Sequence, residues 1–441
     1  MDIYIPENVK KILNTLEKSG YEAYIVGGCV RDSILGKNPR DYDVTTSAQP
    51  EEVKACLSEF NVIETGLKHG TVTVVSGDDY VEVTTFRVDG EYLDHRRPQS
   101  VEYAKSLAVD LSRRDFTINA MAYNAKIGIV DNYGGQKDLF RQIIRSVGNP
   151  SIRFDEDALR IIRALRFASE LGFDIDQQTA KAIHEMKNML LNISAERLAK
   201  EFELLIMGSA PANILVSFAD VFGTLFPEIL PCVGFDQHSR YHIYDVWKHT
   251  AVAVENSIPD REVRLALFFH DIAKPKCCVF DEEGSGHFPG HEVESAEMAE
   301  KIMRRMNFSS DTIKCVTQLI RFHYVTPIDD EKVVKKLLAT IGPQYFFKLT
   351  ELMKSDSRAK QSICFERVQI LEAMEAKAER ILENKECISV SQLDIKGTDI
   401  AALGAQGSRI GEVLDELLSM HIDGKVRNEK NELIAAAEKL I

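Results

Sequence analysis

Asp41-Tyr42-Asp43 sets two carboxylates two residues apart at the start of a predicted strand, so both side chains project to one face. Two such groups repel each other unless cations sit between them. Just upstream, Val26-Gly27-Gly28-Cys29-Val30-Arg31-Asp32 reads as a strand, a Gly-Gly turn and the start of a helix. Glycine lets backbone N–H groups approach phosphate oxygens at a helix N-terminus, and Arg31 adds charge-assisted donors. On a later strand, Val81-Glu82-Val83-Thr84 offers Glu82 on one face as a third acid. The combination reads as a Mg²⁺–triphosphate site, in which metals activate an attacking hydroxyl and stabilise a leaving pyrophosphate.

Asp157 and Arg160 stand three apart on a predicted helix over 155–170, so they share a face. A carboxylate acceptor beside a guanidinium donor matches the edge common to cytosine and adenine, an exocyclic amino group next to an unprotonated ring nitrogen. Guanine and uracil present the reverse polarity and would leave buried polar groups unpaired, at about 1–3 kcal/mol per group. The same residues also fit an i,i+3 ion pair on a solvated helix face that Arg163 and Arg166 continue.

The elements that must position these groups are legible in outline. With 441 residues, 44% of them apolar and 28% charged, the chain has the profile of a folded protein of two to four domains. An amphipathic helix over 9–17 is followed by β-branched runs at 21–26, 42–46, 71–75 and 80–86, alternating with helical stretches. Beyond about Asp155 the β signal stops, and helical patterns at 155–170, 177–190 and 195–207 continue almost to Ile441. The expected fold class is an α/β head with a mixed sheet, followed by an all-α remainder. The polar segment 88–100 reads as a loop. No run of about 18 uncharged apolar residues occurs, and residues 1–11 hold two acids and no apolar leader, so neither a membrane span nor a secretion signal is expected. Eight cysteines without a C-x-x-C pair suit a reduced, cytoplasmic chain. The net charge of −14 hides its distribution: residues 86–166 carry a net +3 and the remainder −17, so a nucleic-acid partner is not excluded.

Four ordered motifs then align with one family. Gly27–Gly36 (GGxxRDxxLG) with Asp-x-Asp, Leu111–Met121 (LSRRDFTINAM), Asp131–Leu139 (DNYGGQKDL) and Arg153–Arg160 (RFDEDALR) resemble the class II tRNA nucleotidyltransferases and bacterial poly(A) polymerases. The resemblance implies a polymerase-β-like head over 1–150, a helical neck over 151–235 that selects the base and binds RNA, a helical body over 236–365 and a helical tail over 366–441. It implies that Asp41 and Asp43 hold the metals, that Gly28, Arg31 and Arg114 contact the nucleotide, and that Asp157 and Arg160 template C and A with Arg163 and Arg166 nearby. The segment at 88–100 matches one that helps the switch from C to A in that family. Residues 393–414, with Gly397, Gly404 and Gly411, look like its tRNA-contacting tail.

A second series runs through the helical part: His249, His270-Asp271, His291, His323 and Asp356. Imidazole and carboxylate suit first-row divalent metals, and an adjacent His-Asp supplies a terminal and a bridging ligand. The order resembles the HD metal-dependent phosphohydrolases, which implies His249, His270, Asp271 and Asp356 as the primary set and His291 and His323 for a second ion. His238 and His242 fall outside it.

The expected activity is template-independent addition of C, C and A to tRNA from CTP and ATP, with Mg²⁺ in the head and a divalent transition metal at the HD centre. The expected partners are tRNA and the two nucleotides, with no DNA and no membrane; the sequence says nothing of oligomeric state. Addition of A alone, of CC alone, or of poly(A) uses the same motifs and stays open, although residues 401–441 carry 5 Lys+Arg against 7 Asp+Glu and so add no basic RNA-tracking tail. A rival of another class makes the HD centre the principal activity, with the head a regulatory nucleotide-binding domain.

Overall fold

The computed structural model describes residues 2–67, 70–76, 79–89 and 101–441. The chain divides into two compact units, Met1–Pro227 and Glu228–Ile441.

In the first unit the strands are β1 (Ala23–Val26), β2 (Asp43–Thr46), β3 (Asn61–Gly66), β4 (Thr71–Ser76), β5 (Asp79–Thr85), β6 (Arg87–Asp89), β7 (Val101–Tyr103), β8 (Met121–Asn124) and β9 (Gly128–Asp131). Seven of them form one sheet in the order β3-β4-β5-β2-β1-β8-β9, while β6 and β7 pair separately. Within the large sheet only β2 and β5 run parallel, with Asp43 opposite Glu82. The four β-branched runs expected from the sequence are β1, β2, β4 and β5, trimmed or extended at their ends by one or two residues. Strand β8 escaped that reading because Met121-Ala-Tyr-Asn124 has no β-branched residue, yet it is buried along its whole length against β1. Of the segment read as a loop, Val88 and Asp89 belong to β6, and residues 90–100 lie outside the described residues.

Helices complete the first unit. Glu7–Lys18 buries Val9, Ile12, Leu13 and Leu16, an i, i+3, i+4, i+7 stripe. The helix expected over 155–170 is two helices, Pro150–Glu156 and Leu159–Leu171, broken at Asp157, which has extended backbone (φ −141°, ψ 102°). The apolar pattern ran through the break because Phe154, Ala158, Leu159 and Ile162 are all buried on either side of it. A short parallel pair, Ile143-Ile144 with Asp174-Ile175, corrects the expectation that β structure ends at 155. Helix Ala195–Ile206 packs heavily on Leu159–Leu171.

The second unit is helical apart from a two-residue hairpin pairing Val279-Phe280 with Gly286-His287. Its centre is Arg261–Phe269, in which every residue from Val263 to Phe269 is buried. Helices Val246–Glu255, Ser310–Phe322 and Pro343–Arg358 surround it. Three of these four start on a side-chain cap: Asp245 accepts from Trp247 and Lys248 N–H, Asp260 from Val263 N–H and Ser309 from Thr312 N–H. Residues 393–437 form a separate apolar cluster around Ile400, Val413, Leu417 and Leu433. Among the described residues no helix is long and apolar enough to cross a membrane.

Candidate functional sites

The head site forms where β1 ends and β2 begins. Gly27 adopts φ +83°, and a Cβ there would lie 3.0 Å from Arg114 Nη1, so glycine both makes the turn and admits the guanidinium. The helix Gly28–Ile34 starts at once, and its Arg31 is buried, donating to Asn119 Oδ1 (2.9 Å) and to Asp32 (2.8 Å). Asp43 opens β2 beside Glu82 on β5, and both side chains reach solvent. Asp41 precedes the strand and is also exposed. Desolvation raises the Asp43 carboxyl above its ordinary value; the neighbouring Glu82 and Asp41 carboxylates add to this, and Arg114 opposes it. A carboxylate facing further acids across a register pair is a fitting place for divalent cations. Arg114 is in turn held 3.4 Å from Asp110, a fully buried acid that also takes Arg113 and Thr45.

The neck residues are packed more tightly than a solvated ion-pair face would be. Arg160 is buried; its Nη1 donates to Glu156 (2.7 Å) and to the Arg153 carbonyl, and its Nη2 to the Arg113 carbonyl (2.8 Å). Arg163 grips Asp115 with two bonds (3.0 and 2.6 Å). Although burial favours protonation, Arg163 brings the Asp115 carboxyl down to about 2. Asp115 also accepts from Asn119, which links this pair to Arg31. Arg31, Arg163 and Arg166 surround the Phe167 ring at 5.2, 5.3 and 4.1 Å from its centroid. Asp157 does not share a helix face with Arg160, as its spacing suggested, but caps the break: its Oδ1 accepts from Leu159 N–H (3.1 Å), and its Oδ2 lies 3.8 Å from Arg197. Arg197, Glu201, Asp110 and Asn119 were missed as site residues. Asp110, Arg114, Asp115 and Asn119 fall within or beside the LSRRDFTINAM motif, whereas Arg197 and Glu201 carry no local signal.

The second site brings all six expected residues of the helical part together, each of them nearly or fully buried. His249 Nε2 lies 2.9 Å from Asp356 and 3.7 Å from Asp271; His270 Nε2 lies 3.1 Å from Asp271. His291 and His323 meet at 3.3 Å between their Nε2 atoms, 3.5 and 3.8 Å from the other Asp271 oxygen. Two sets, His249–His270–Asp271 and Asp271–His291–His323, have ligand atoms within 4.8 Å of one another; among the described residues Asp41, Asp43 and Glu82 form no such set. In His270, His291 and His323 the Nδ1 atom faces a backbone carbonyl (Leu267, Phe288, Ile320) at 2.6–2.7 Å, which turns Nε2 inward. That is how metal-ligating imidazoles are oriented. His270 Nε2 and Asp271 Oδ1 are buried without a hydrogen-bond partner, so the donor set fits divalent metal ions, which the two sets sharing Asp271 would hold. Burial opposes charge on His270, yet Asp271 and Asp356 push its imidazole up to about 9. Lys274 (2.7 Å from Asp271) and Lys360 (2.6 Å from Asp356) brace the two acids. The centre opens on a cavity of about 580 Å³ whose wall includes Arg240, His242, Lys274, Lys360 and Arg367. His242 is in neither ligand set, although its ring stands 5.3 Å from that of His249.

Residues 23–145 match the Poly A polymerase head domain, and residues 172–232 match the "probable RNA and SrmB- binding site of polymerase A". The CCA-adding enzyme of Leuconostoc citreum is 48% identical over 204 residues, 46% of this chain and 50% of that protein. The CCA-adding enzyme of Limosilactobacillus reuteri is 46% identical over 212 residues, 48% of this chain and 52% of that protein. The match thus spans about half the length of these curated relatives. Over nearly full length, the crystal structure of the Bacillus stearothermophilus CCA-adding enzyme in complex with CTP superposes with a TM-score of 0.74 at 28% identity, covering 98% of this chain and 96% of that one.

Proposed function

We propose, from a head that matches the Poly A polymerase head domain over 23–145 and a neck that matches the probable RNA-binding site of polymerase A over 172–232, that this protein is a CCA-adding tRNA nucleotidyltransferase. The observation that carries the reading is the cross-strand pair Asp43–Glu82, set beside Asp41, Arg114 and the Gly27-Gly28 helix start. In this reading the tRNA 3′-hydroxyl forms a new P–O bond at the α-phosphate of CTP, twice, and then of ATP, as pyrophosphate departs. Mg²⁺ ions, when bound, would activate the hydroxyl and neutralise the leaving group. Asp41, Asp43 and Glu82 would hold them. Gly28, Arg31 and Arg114 bind phosphate and sugar, and Asp157 and Arg160 read the base edge. Arg163 and Arg166, clustered about Phe167, keep that reading surface in place. The parts are then a head at 1–150, a neck at 151–235, a body at 236–365 and a tRNA-binding tail at 366–441. Eight unpaired thiols suit the cytoplasm.

The test is extension of tRNA ending at the discriminator base, resolved to single nucleotides, with CTP alone, ATP alone or both. Two additions with CTP and completion to CCA with both are expected. Addition of A only after a CC end is supplied would make it an A-adding enzyme; a stop at CC with both nucleotides, a CC-adding one; unlimited A, a poly(A) polymerase.

A second activity is favoured by the inward-facing imidazoles and by Asp271, which both ligand sets share. We read the HD centre as a divalent transition-metal site for hydrolysis of a phosphate ester, with the cations of the cavity wall receiving the phosphate. Were it the principal function, Asp271→Ala would remove activity that Asp43→Ala leaves intact.

A further inference from the structure

The segment before helix Val246–Glu255 folds back over the second site. Asp245 caps that helix, Val246 N–H donates to the Phe235 carbonyl (3.1 Å), and the Tyr241 carbonyl accepts from Gln361 N–H (3.0 Å), just after helix Pro343–Arg358 that carries Asp356. His242 is thereby set in the wall of the cavity, its ring edge-on to that of His249. Arg367, near the start of helix Glu366–Glu383, joins the same wall; its Nη2 donates to the Val325 carbonyl (3.2 Å), two residues past His323. One of these side chains is thus anchored next to a member of each ligand set.

Among the described residues lining this cavity, three carry buried side-chain polar atoms without a hydrogen-bond partner: Asp271 at Oδ1, His242 at both ring nitrogens and Arg367 at Nε. Buried polar atoms are nearly always paired, so each orphan asks for a partner. A divalent cation accounts for Asp271, but not for Arg367, which can only donate. His242 lies in neither ligand set, and an imidazole offers at least one N–H in either protonation state. Lys274 and Lys360 are taken by Asp271 and Asp356, and Asp281, the remaining acid of the wall, by His287 at 2.8 Å. Two unspent donors beside a metal-ligating set call for an anion that brings several acceptor oxygens. We infer that His242 and Arg367 are the ligand-recognising residues of the HD centre, together holding the phosphate oxygens that the metal ions leave free. The inference rests on the reading of this centre as a divalent-metal site for a phosphate ester. Both residues bind and orient; neither ligates metal.

The experiment loads the full chain with Mn²⁺, Co²⁺ or Ni²⁺ and counts bound metal by elemental analysis. Inorganic phosphate is then titrated calorimetrically into wild type, His242→Phe, His242→Asn, Arg367→Gln and Asp271→Ala. His242→Phe and Arg367→Gln should each keep the wild-type metal content and weaken phosphate binding about 10- to 150-fold, the range for one lost hydrogen bond to a charged group. His242→Asn keeps an N–H and should recover most of that loss. With phenyl phosphate as substrate the loss should fall on KM rather than kcat. Asp271→Ala should lose metal and phosphate binding together. Should His242→Phe not fold, Arg367→Gln carries the same expectation. Variants that bind phosphate as wild type does overturn the inference and leave the metal reading intact, as does a metal-loaded wild type that binds no phosphate. Metal lost from His242→Phe would make that residue a support of His249 and overturn its part in recognition. A wild type that takes up no divalent metal overturns the reading of the centre and the inference with it.

Discussion

Arg163→Met tests whether the buried Asp115 is held by that one cation. In the native chain the Arg163 guanidinium brings the buried Asp115 carboxyl down to about 2 from an ordinary 3.8. At 1.36 kcal/mol per unit this stabilises the fold by about 2 kcal/mol at any pH above the ordinary value, a contribution lost as pH falls towards 2. Breaking a buried pair by removing one partner typically costs about 3–5 kcal/mol. The Arg163 side chain keeps 29% of its exposure, which puts the expected loss at or just below that range, about 2–3 kcal/mol. The only tryptophan, Trp247, belongs to the second unit and does not report on the first. Hydrogen exchange of peptides over 110–124 and 159–171 does, and protection there should fall about 30- to 150-fold at pH 7. With its cation gone, Asp115 becomes a buried carboxyl that prefers to be neutral, so the gap between variant and wild type should narrow at pH 5. Asp115→Asn in the Met background should recover much of the loss. A change below about threefold, or a loss as large at pH 5 as at pH 7, would refute the reasoning.

Three further outcomes follow from the sites. Asp43→Ala should abolish incorporation of both C and A while leaving metal content of the second unit unchanged, as read by elemental analysis. Asp157→Asn should retain incorporation but lower discrimination against UTP by roughly 5- to 150-fold, the range set by about 1–3 kcal/mol for an unpaired polar group. His323→Ala should remove one equivalent of divalent transition metal and Asp271→Ala both, because Asp271 alone belongs to both ligand sets; equal loss in the two variants would count against a bridged pair.

Much of this molecule was legible because much of its chemistry is local. Asp-x-Asp on a strand, Gly-Gly before a helix and an adjacent His-Asp are short-range patterns. The β-branched runs and the stripe on helix 7–18 are period-2 and period-3.6 signals that need no partner to be seen. Strand β8 lacks β propensity and exists through burial against β1, so its pattern could not announce it. The break at Asp157 was hidden by an apolar period that continues across it.

What tertiary structure alone decided are the partnerships. Glu82 is beside Asp43 because β5 joins β2 in parallel, a register chosen by the whole sheet. Asp115 finds Arg163, and Asp157 finds Arg197 rather than a helix face shared with Arg160, because segments far apart in sequence pack together. The inward aim of the imidazoles depends on which carbonyl each Nδ1 meets. Residue type fixes what a group can donate, accept or ligate. Which group it faces is set by packing over long sequence separations, and local periodicity does not encode that.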